Sequence, residues 1–119
     1  MSSQPPPDTR QSETSVISGD LDRLYERTFG RGPRQVRTFV QPECAICVLR
    51  SVLTPAERVL VADGGEAEVE AARRWINDSI EEACIEIVEA ETRRSVGHHR
   101  AQLRVRADLV VHLFYFDET

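Results

Sequence analysis

The sequence contains no lysine: all 15 of its basic residues are arginines, set against 20 acidic residues for a net charge of -5. A Walker A phosphate loop, a Schiff-base enzyme and a lysine general base each require an ammonium group on a flexible stem. The missing lysine therefore excludes these classes of site. The negative net charge also opposes nonspecific nucleic-acid binding.

Long apolar runs are missing as well. The longest, Leu109 to Phe116, has eight residues and is interrupted by His112, whereas a membrane-spanning helix needs about 20. The first residues hold no apolar run of the kind found in a secretory signal. These features predict a cytoplasmic protein without a membrane span, in which three cysteines stay reduced.

The 119 residues suit one domain with a single core. Residues 1–14 are mostly serine, proline and charged residues and are predicted to form a disordered tail. Residues 15–119 are predicted to form one α+β domain. Between residues 15 and 29, apolar side chains recur at steps of three and four, which predicts a helix that ends at Gly30.

The segments that follow predict two strands and two further helices. Residues 36–40 and 44–49 are rich in β-branched and apolar residues, as strands are. Thr54 to Glu57 combines a capping hydroxyl, a proline at the first helical position and a glutamate three residues after the cap. Residues 66–92 predict one amphipathic helix of about seven turns. Val69 and Trp75 lie on its apolar stripe, with Arg73 and Asn77 on the polar side.

Two last strands are predicted at residues 95–104 and 106–117. The order α-ββ-αα-ββ favours a two-layer α+β sandwich, with a four-stranded, mostly antiparallel sheet and helices on one face. Apolar side chains in the last strand point to both faces of the sheet. Because helices on one side cover only one face, a homodimer that covers the other is predicted. His112, between Val111 and Leu113, is interpreted as a buried or interfacial histidine with satisfied hydrogen bonds, in preference to a metal ligand.

A basic segment lies between Arg93 and Arg106, which includes five arginines and two histidines but no acidic residue. One interpretation is a surface for an anion or nucleic acid, to which residues 31–37 could add further arginines. The other is a solvated strand whose arginines face the acidic long helix. A nucleic-acid module would use Arg93, Arg94, Arg100, Arg104 and Arg106. No aromatic residue interleaves these arginines, so base stacking has little support.

The Cys44-x-x-Cys47 spacing is typical of thiol redox and zinc sites. In a strand, however, residues three apart face opposite sides of the sheet. These cysteines are therefore interpreted as small apolar residues, and a metal or thiol protein using Cys44, Cys47 and His99 is a second alternative. No serine, histidine and acid pattern indicates a nucleophile elbow. The sequence accordingly predicts no catalytic residue, no metal site and no cofactor.

Four short segments resemble the MpsC family: YERTF at 25–29, GRGP at 30–33, VRTF at 36–39 and VLTPAE at 52–57. This small bacterial family is named after a component of a Na+-translocating, membrane-potential-generating system. The resemblance implies a compact protein associated with a membrane system for ion and inorganic-carbon uptake. Because the sequence has no membrane-spanning segment, a transport role would be peripheral or regulatory, through docking on a membrane protein complex. Family members commonly carry a histidine followed closely by an aspartate in the third strand, whereas residues 97–102 here contain no acidic residue.

The prediction is therefore a non-enzymatic accessory or regulatory domain that acts by protein contact or anion binding. The motif residues Gly30, Pro33 and Thr54 have evident structural reasons in turns and caps. The motif arginines have none at the level of sequence. The predicted ligand-binding or partner-binding residues are Arg31, Arg34, Arg37, His99 and Arg100.

Overall fold

The computed structural model describes residues 9–118. Its elements are α1 (Thr9–Phe29), β1 (Gln35–Val40), β2 (Cys44–Arg50), α2 (Pro55–Ala62), α3 (Glu66–Ser79), α4 (Glu81–Thr92), β3 (Val96–Arg104) and β4 (Leu109–Phe116). The first helix begins at Thr9, earlier than residue 15, because residues 9–14 contain neither proline nor glycine to stop it. Residues 1–8 of the predicted tail lie outside the described residues.

The four strands form one sheet in the order β1-β2-β4-β3, and every neighbouring pair is antiparallel. The predicted four-stranded antiparallel α+β fold is confirmed. The helices lie against the face formed by alternate strand residues, among them the buried Cys47, Val110 and Phe114. Within residues 9–118, no helix combines the length and the apolar character needed to cross a bilayer.

The predicted long helix is interrupted at Ile80, which has φ -103° and ψ 7° and separates α3 from α4. Ser79 Oγ donates a hydrogen bond to the carbonyl of Ile76 at 2.7 Å. Such bonds from serine to the preceding turn compete with the helical ladder and bend helices. The bend lets α4 pack against α1 while α3 packs against α2, and both helices contact β3.

The predicted faces of α3 are wrong at three positions. Arg73 and Asn77 are buried, whereas the Trp75 side chain is 79% exposed. Arg73 is tolerated inside because its guanidinium is paired: Nε and Nη2 donate to the two carboxylate oxygens of Glu57 at 2.8 and 2.6 Å. Nη2 also donates to the carbonyl of Val52 at 2.6 Å.

Glu57 joins this ion pair to the start of α2. Its carboxylate accepts a bond from the backbone N–H of Thr54 at 2.7 Å, and its own N–H donates to the Thr54 hydroxyl at 3.2 Å, so the predicted capping box is present. Partial burial would raise the pKa of Glu57, but the hydrogen bonds from Arg73 and Thr54 outweigh it and lower that pKa. Glu57 is thus held ionised beside a buried cation.

The loop 51–54 is fixed by side chains from three other elements. Asp108, in the turn between β3 and β4, accepts bonds from the N–H of Leu53 on Oδ1 and of Ser51 on its carbonyl, both at 2.8 Å. Arg31 donates to the carbonyl of Leu53 at 2.9 Å. Together with the bond from Arg73, these contacts fix the end of the sheet to the first turn of α2.

We expect the Arg73→Met variant to lower the free energy of unfolding by about 3 kcal/mol, because breaking a buried ion pair leaves its partner uncompensated. Urea denaturation followed by circular dichroism measures the change. The neighbouring Arg74 is exposed, so Arg74→Met serves as the control and should change stability by less than about 0.5 kcal/mol. Equal losses in the two variants would contradict the structural role of Arg73.

Candidate functional site

One face of the sheet lies opposite the helices and is called the open face here. Strand alternation and register place four apolar side chains at its centre: Ile46 and Val48 of β2, opposite Leu113 and Val111 of β4. All four are only partly buried. Phe39 and Tyr115 lie on the same face with 46% and 40% of their surfaces exposed. The open face is therefore apolar in the middle.

The rim of the open face is basic. The four strands contain no aspartate or glutamate, and their four arginines all point to this face and are exposed. These are Arg37, Arg50, Arg100 and Arg104. His98 also lies here, stacked on Tyr115 with ring centroids 5.8 Å apart. The acidic residues among residues 9–118, by contrast, all lie outside the strands.

The predicted site residues do not form one cluster. Arg37 and Arg100 share the open face but stand on the two edge strands, three strand spacings or about 14 Å apart. Arg34 is exposed in the connection before β1. Arg31 holds the loop 51–54, a structural role that the sequence did not reveal. His99 points to the helix side, away from Arg100.

His99 belongs to a row of hydrogen-bonded side chains that runs from the surface into the core, called the histidine chain here. Glu81 Oε2 lies 2.9 Å from His99 Nδ1, and His99 Nε2 lies 2.9 Å from His112 Nδ1. His112 Nε2 lies 2.7 Å from the Tyr25 hydroxyl oxygen, which lies 3.2 Å from Asn77 Oδ1. The interpretation of His112 as buried and hydrogen-bonded is confirmed.

The histidine chain has two hydrogen-bonding patterns that differ by one proton. If Tyr25 donates to Asn77, His112 donates to Tyr25 through Nε2 and accepts through Nδ1, so His99 carries N–H groups on both nitrogens. If Tyr25 donates to His112, that ring donates to His99 through Nδ1, and His99 carries only the proton shared with Glu81. Both patterns fit the same distances between the heavy atoms of the histidine chain.

Burial controls the titration of the inner groups. Burial, followed by the electrostatic effect of His99, lowers the pKa of His112 to about 3. Burial also raises the pKa of the Tyr25 hydroxyl well above its ordinary value. Both groups are consequently neutral at pH 7, and neither reaches solvent.

The cysteines are separated as their strand positions indicate. Cys47 is buried on the helix side, where Thr38 Oγ1 donates to its sulfur at 3.6 Å, while Cys44 lies on the open face. Burial raises the pKa of Cys47 to about 12 and that of Cys84 likewise to about 12, which suppresses the nucleophilic thiolate. Across residues 9–118, no three His, Cys, Asp or Glu side chains are grouped so that they could hold a metal ion.

The sequence did not reveal the partners of His99. Tyr25 and His112 lie within apolar sequence patterns, but the pattern places Asn77 on the polar side of the long helix and gives no signal for Glu81. Only the strand register, which aligns His99 with Phe114 and Ala101 with His112, brings the two histidines together. A polar residue within an apolar pattern, as at His112, is the signal that a buried partner is required.

We expect the unfolding free energy to fall as the pH drops from about 6.5 towards 3. Below its unfolded pKa of about 6.5, His112 takes up a proton in the unfolded state but not in the folded state, so acid favours unfolding by up to about 1.4 kcal/mol per pH unit. Urea denaturation between pH 7 and 4 measures the slope. The His112→Gln variant should show a shallower slope even if it is less stable, and an unchanged slope would contradict the assignment.

We expect Arg31→Ala to lower the free energy of unfolding by about 1–2 kcal/mol, because the carbonyl of Leu53 loses a charged donor. Thermal or urea denaturation measures the change. The exposed Arg34 provides the matched control, since Arg34→Ala should alter stability by less than about 0.5 kcal/mol. A loss as small for Arg31 as for Arg34 would show that the contact with Leu53 contributes nothing.

Comparison with known proteins places the chain in a family. No curated protein matches it. No solved structure matches it. One family profile, described as Na+-translocating membrane potential-generating system (MpsC), matches residues 9–118. The chain therefore belongs to the MpsC family.

Proposed function

We propose that this chain is a cytoplasmic, non-enzymatic accessory domain of a Na+-linked membrane system, and that its open face docks on an acidic protein partner. The observation that carries the proposal is the open face itself, whose strands contribute an apolar centre, four arginines and no acidic residue. The MpsC family description supplies the link to a membrane system.

The apolar centre supplies a reason for the open face to be covered. Side chains such as Phe39, Val48 and Val111 leave apolar surface in water. Removing such surface from water favours association and offsets part of the entropy lost on binding. Contiguous exposed apolar patches with a polar rim are typical of interaction sites.

The charge of the rim favours an acidic partner over a second copy. Two open faces packed together would bring eight guanidinium groups, four from each chain, into one interface. Like charges near a low-dielectric interface repel strongly. An acidic partner would instead complement the rim and speed association. The homodimer predicted from the sequence is therefore the alternative occupant of this face.

The burial of the histidine chain supports a non-enzymatic role. His112 and Tyr25 are at most 1% exposed, so no substrate atom can reach them in this conformation. His99, the outermost imidazole of the histidine chain, is engaged by Glu81 and His112 on its two nitrogens. The histidine chain is suited to stabilising and coupling α1, α3 and the sheet.

A second candidate is a single-stranded nucleic-acid surface, favoured by one specific observation. The sheet register brings the exposed ring of Tyr115 and the stacked ring of His98 beside Arg100. Aromatic rings and arginines on an open sheet are the elements that stack and neutralise single-stranded RNA. The aliphatic centre of the face and the net charge of -5 favour the protein partner.

The test is complementation in cells that lack the gene. We expect the Arg100→Glu variant to fail to restore the membrane potential, measured with a voltage-sensitive dye at defined Na+ concentrations, while the wild type restores it. Arg27, exposed at the end of α1, provides the matched control, and Arg27→Glu should restore the potential fully. Full rescue by Arg100→Glu at normal protein level would contradict the proposal.

Two measurements on the purified protein separate the alternatives. Sedimentation equilibrium should give a monomer, and a dimer that Arg100→Glu dissociates would assign the open face to a second copy. Fluorescence anisotropy with a labelled single-stranded RNA of mixed sequence should show no saturable binding at 150 mM salt. Saturable binding that Tyr115→Ala abolishes would favour the nucleic-acid candidate.

A further inference from the structure

A cleft of about 440 Å3 lies between α3 and β3, on the other side of the sheet edge from the open face. One wall carries Glu70, Arg74 and Asp78 of α3 and Glu81 of α4, and Ala101 and Leu103 of β3 form part of the other. Ala101 is exposed although its side chain points to the helix side, as that of His99 does. Its small methyl group therefore leaves the space that opens the cleft.

β3 is an edge strand, since it pairs with β4 on one side only among the described residues. The direction of its main-chain groups follows from the neighbouring strand. The N–H of Phe116 donates to Glu43 on the β2 side, and the N–H of Asp117 donates to Ser95 on the β3 side. In an antiparallel sheet these directions alternate residue by residue.

This alternation and the register determine which main-chain N–H and C=O groups of β3 do not bond to β4. Odd-numbered residues of β4 bond to β3, and their partners are the even-numbered residues such as Arg100 and Gln102. The N–H and C=O groups of the intervening residues therefore face the open edge. These residues are His99, Ala101 and Leu103, and all three line the cleft.

We infer that this cleft binds an extended acidic segment of a partner protein, which adds to the edge of β3 as a fifth strand. Main-chain groups of the segment bond to residues 99–103 in the manner of known strand additions. Its alternate side chains lie beside Arg100 and Arg104, which favours glutamate or aspartate at those positions. The side chains between them project over Ala101 into the cleft.

The wall formed by α3 favours a single strand over a second sheet. A second copy paired edge to edge about a twofold axis would carry its own α3 on the same side of the continuous sheet. The α3 helix of the second copy would then need the space beside β3 that Arg74 and Asp78 of the first chain already border. An isolated extended segment needs only the width of one strand, about 4.8 Å.

This site is distinct from the docking surface of the proposed function. The open face is formed by side chains of all four strands, whereas the cleft uses the main chain of β3 and the flank of α3. Arg100 and Arg104 border both. Ala101 belongs only to the cleft, so variants of Ala101 test the cleft separately from the open face.

The probe is a capped seven-residue peptide in which glutamate alternates with valine, titrated into the 15N-labelled protein. We expect saturable shifts centred on the amides of His99, Ala101 and Leu103. Ala101→Pro removes an N–H that faces away from β4, which an edge strand tolerates, and should weaken binding at least about tenfold. Ala101→Ser retains that N–H and should bind within about twofold of the wild type.

A second form of the probe does not depend on the folding of any variant. Methylation of alternate backbone nitrogens of the peptide removes the donors needed for strand addition and should abolish binding to the wild-type protein. The inference is overturned if the methylated peptide or a folded Ala101→Pro protein binds as well as the parent pair, or if no saturable shift occurs. Shifts confined to Ile46 and Val111, or a wild-type dimer that Ala101→Pro dissociates, would also overturn it.

Discussion

The buried guanidinium of Arg73 is the contact on which the rest of the architecture depends. It ties α3 to the carboxylate of Glu57 in α2 and to the loop 51–54 through the carbonyl of Val52, and it lies 3.7 Å from the ring centre of Phe29 in α1. A cation in the interior is stable only with such pairing. Glu57 of the VLTPAE motif is therefore the anionic partner of a buried cation, Arg73, that lies 16 residues further along the chain.

The need to pair buried polar groups also makes the two faces of the sheet different. On the helix side every fully buried side-chain polar atom of the described residues has a partner, and the histidine chain meets that need in the centre. On the open face the arginines remain in water and the apolar centre has no cover from any described element. One side of the sheet therefore stabilises the fold, and the other is available for contact.

The features that depend on local hydrophobic periodicity and on helix capping could be predicted from the sequence. The strands, their antiparallel pairing, the capping box at Thr54 and the two opposed faces of β4 follow from alternation and from the first-turn signals. The sequence did not predict the positions at which tertiary contacts override side-chain polarity: Arg73 and Asn77 are buried, and Trp75 is exposed. The contact of Arg31 with Leu53 joins residues 22 apart, so it too emerges only from the folded chain.

The position of Trp75 has a spectroscopic consequence. It is the single tryptophan, and its indole projects into solvent from α3. A hydrated indole emits at long wavelength in the native chain as it does after denaturation, so intrinsic fluorescence scarcely distinguishes the two. A macromolecule that covered this side of α3 would instead move the emission to the blue, which makes the native chromophore a reporter of encounters and not of folding.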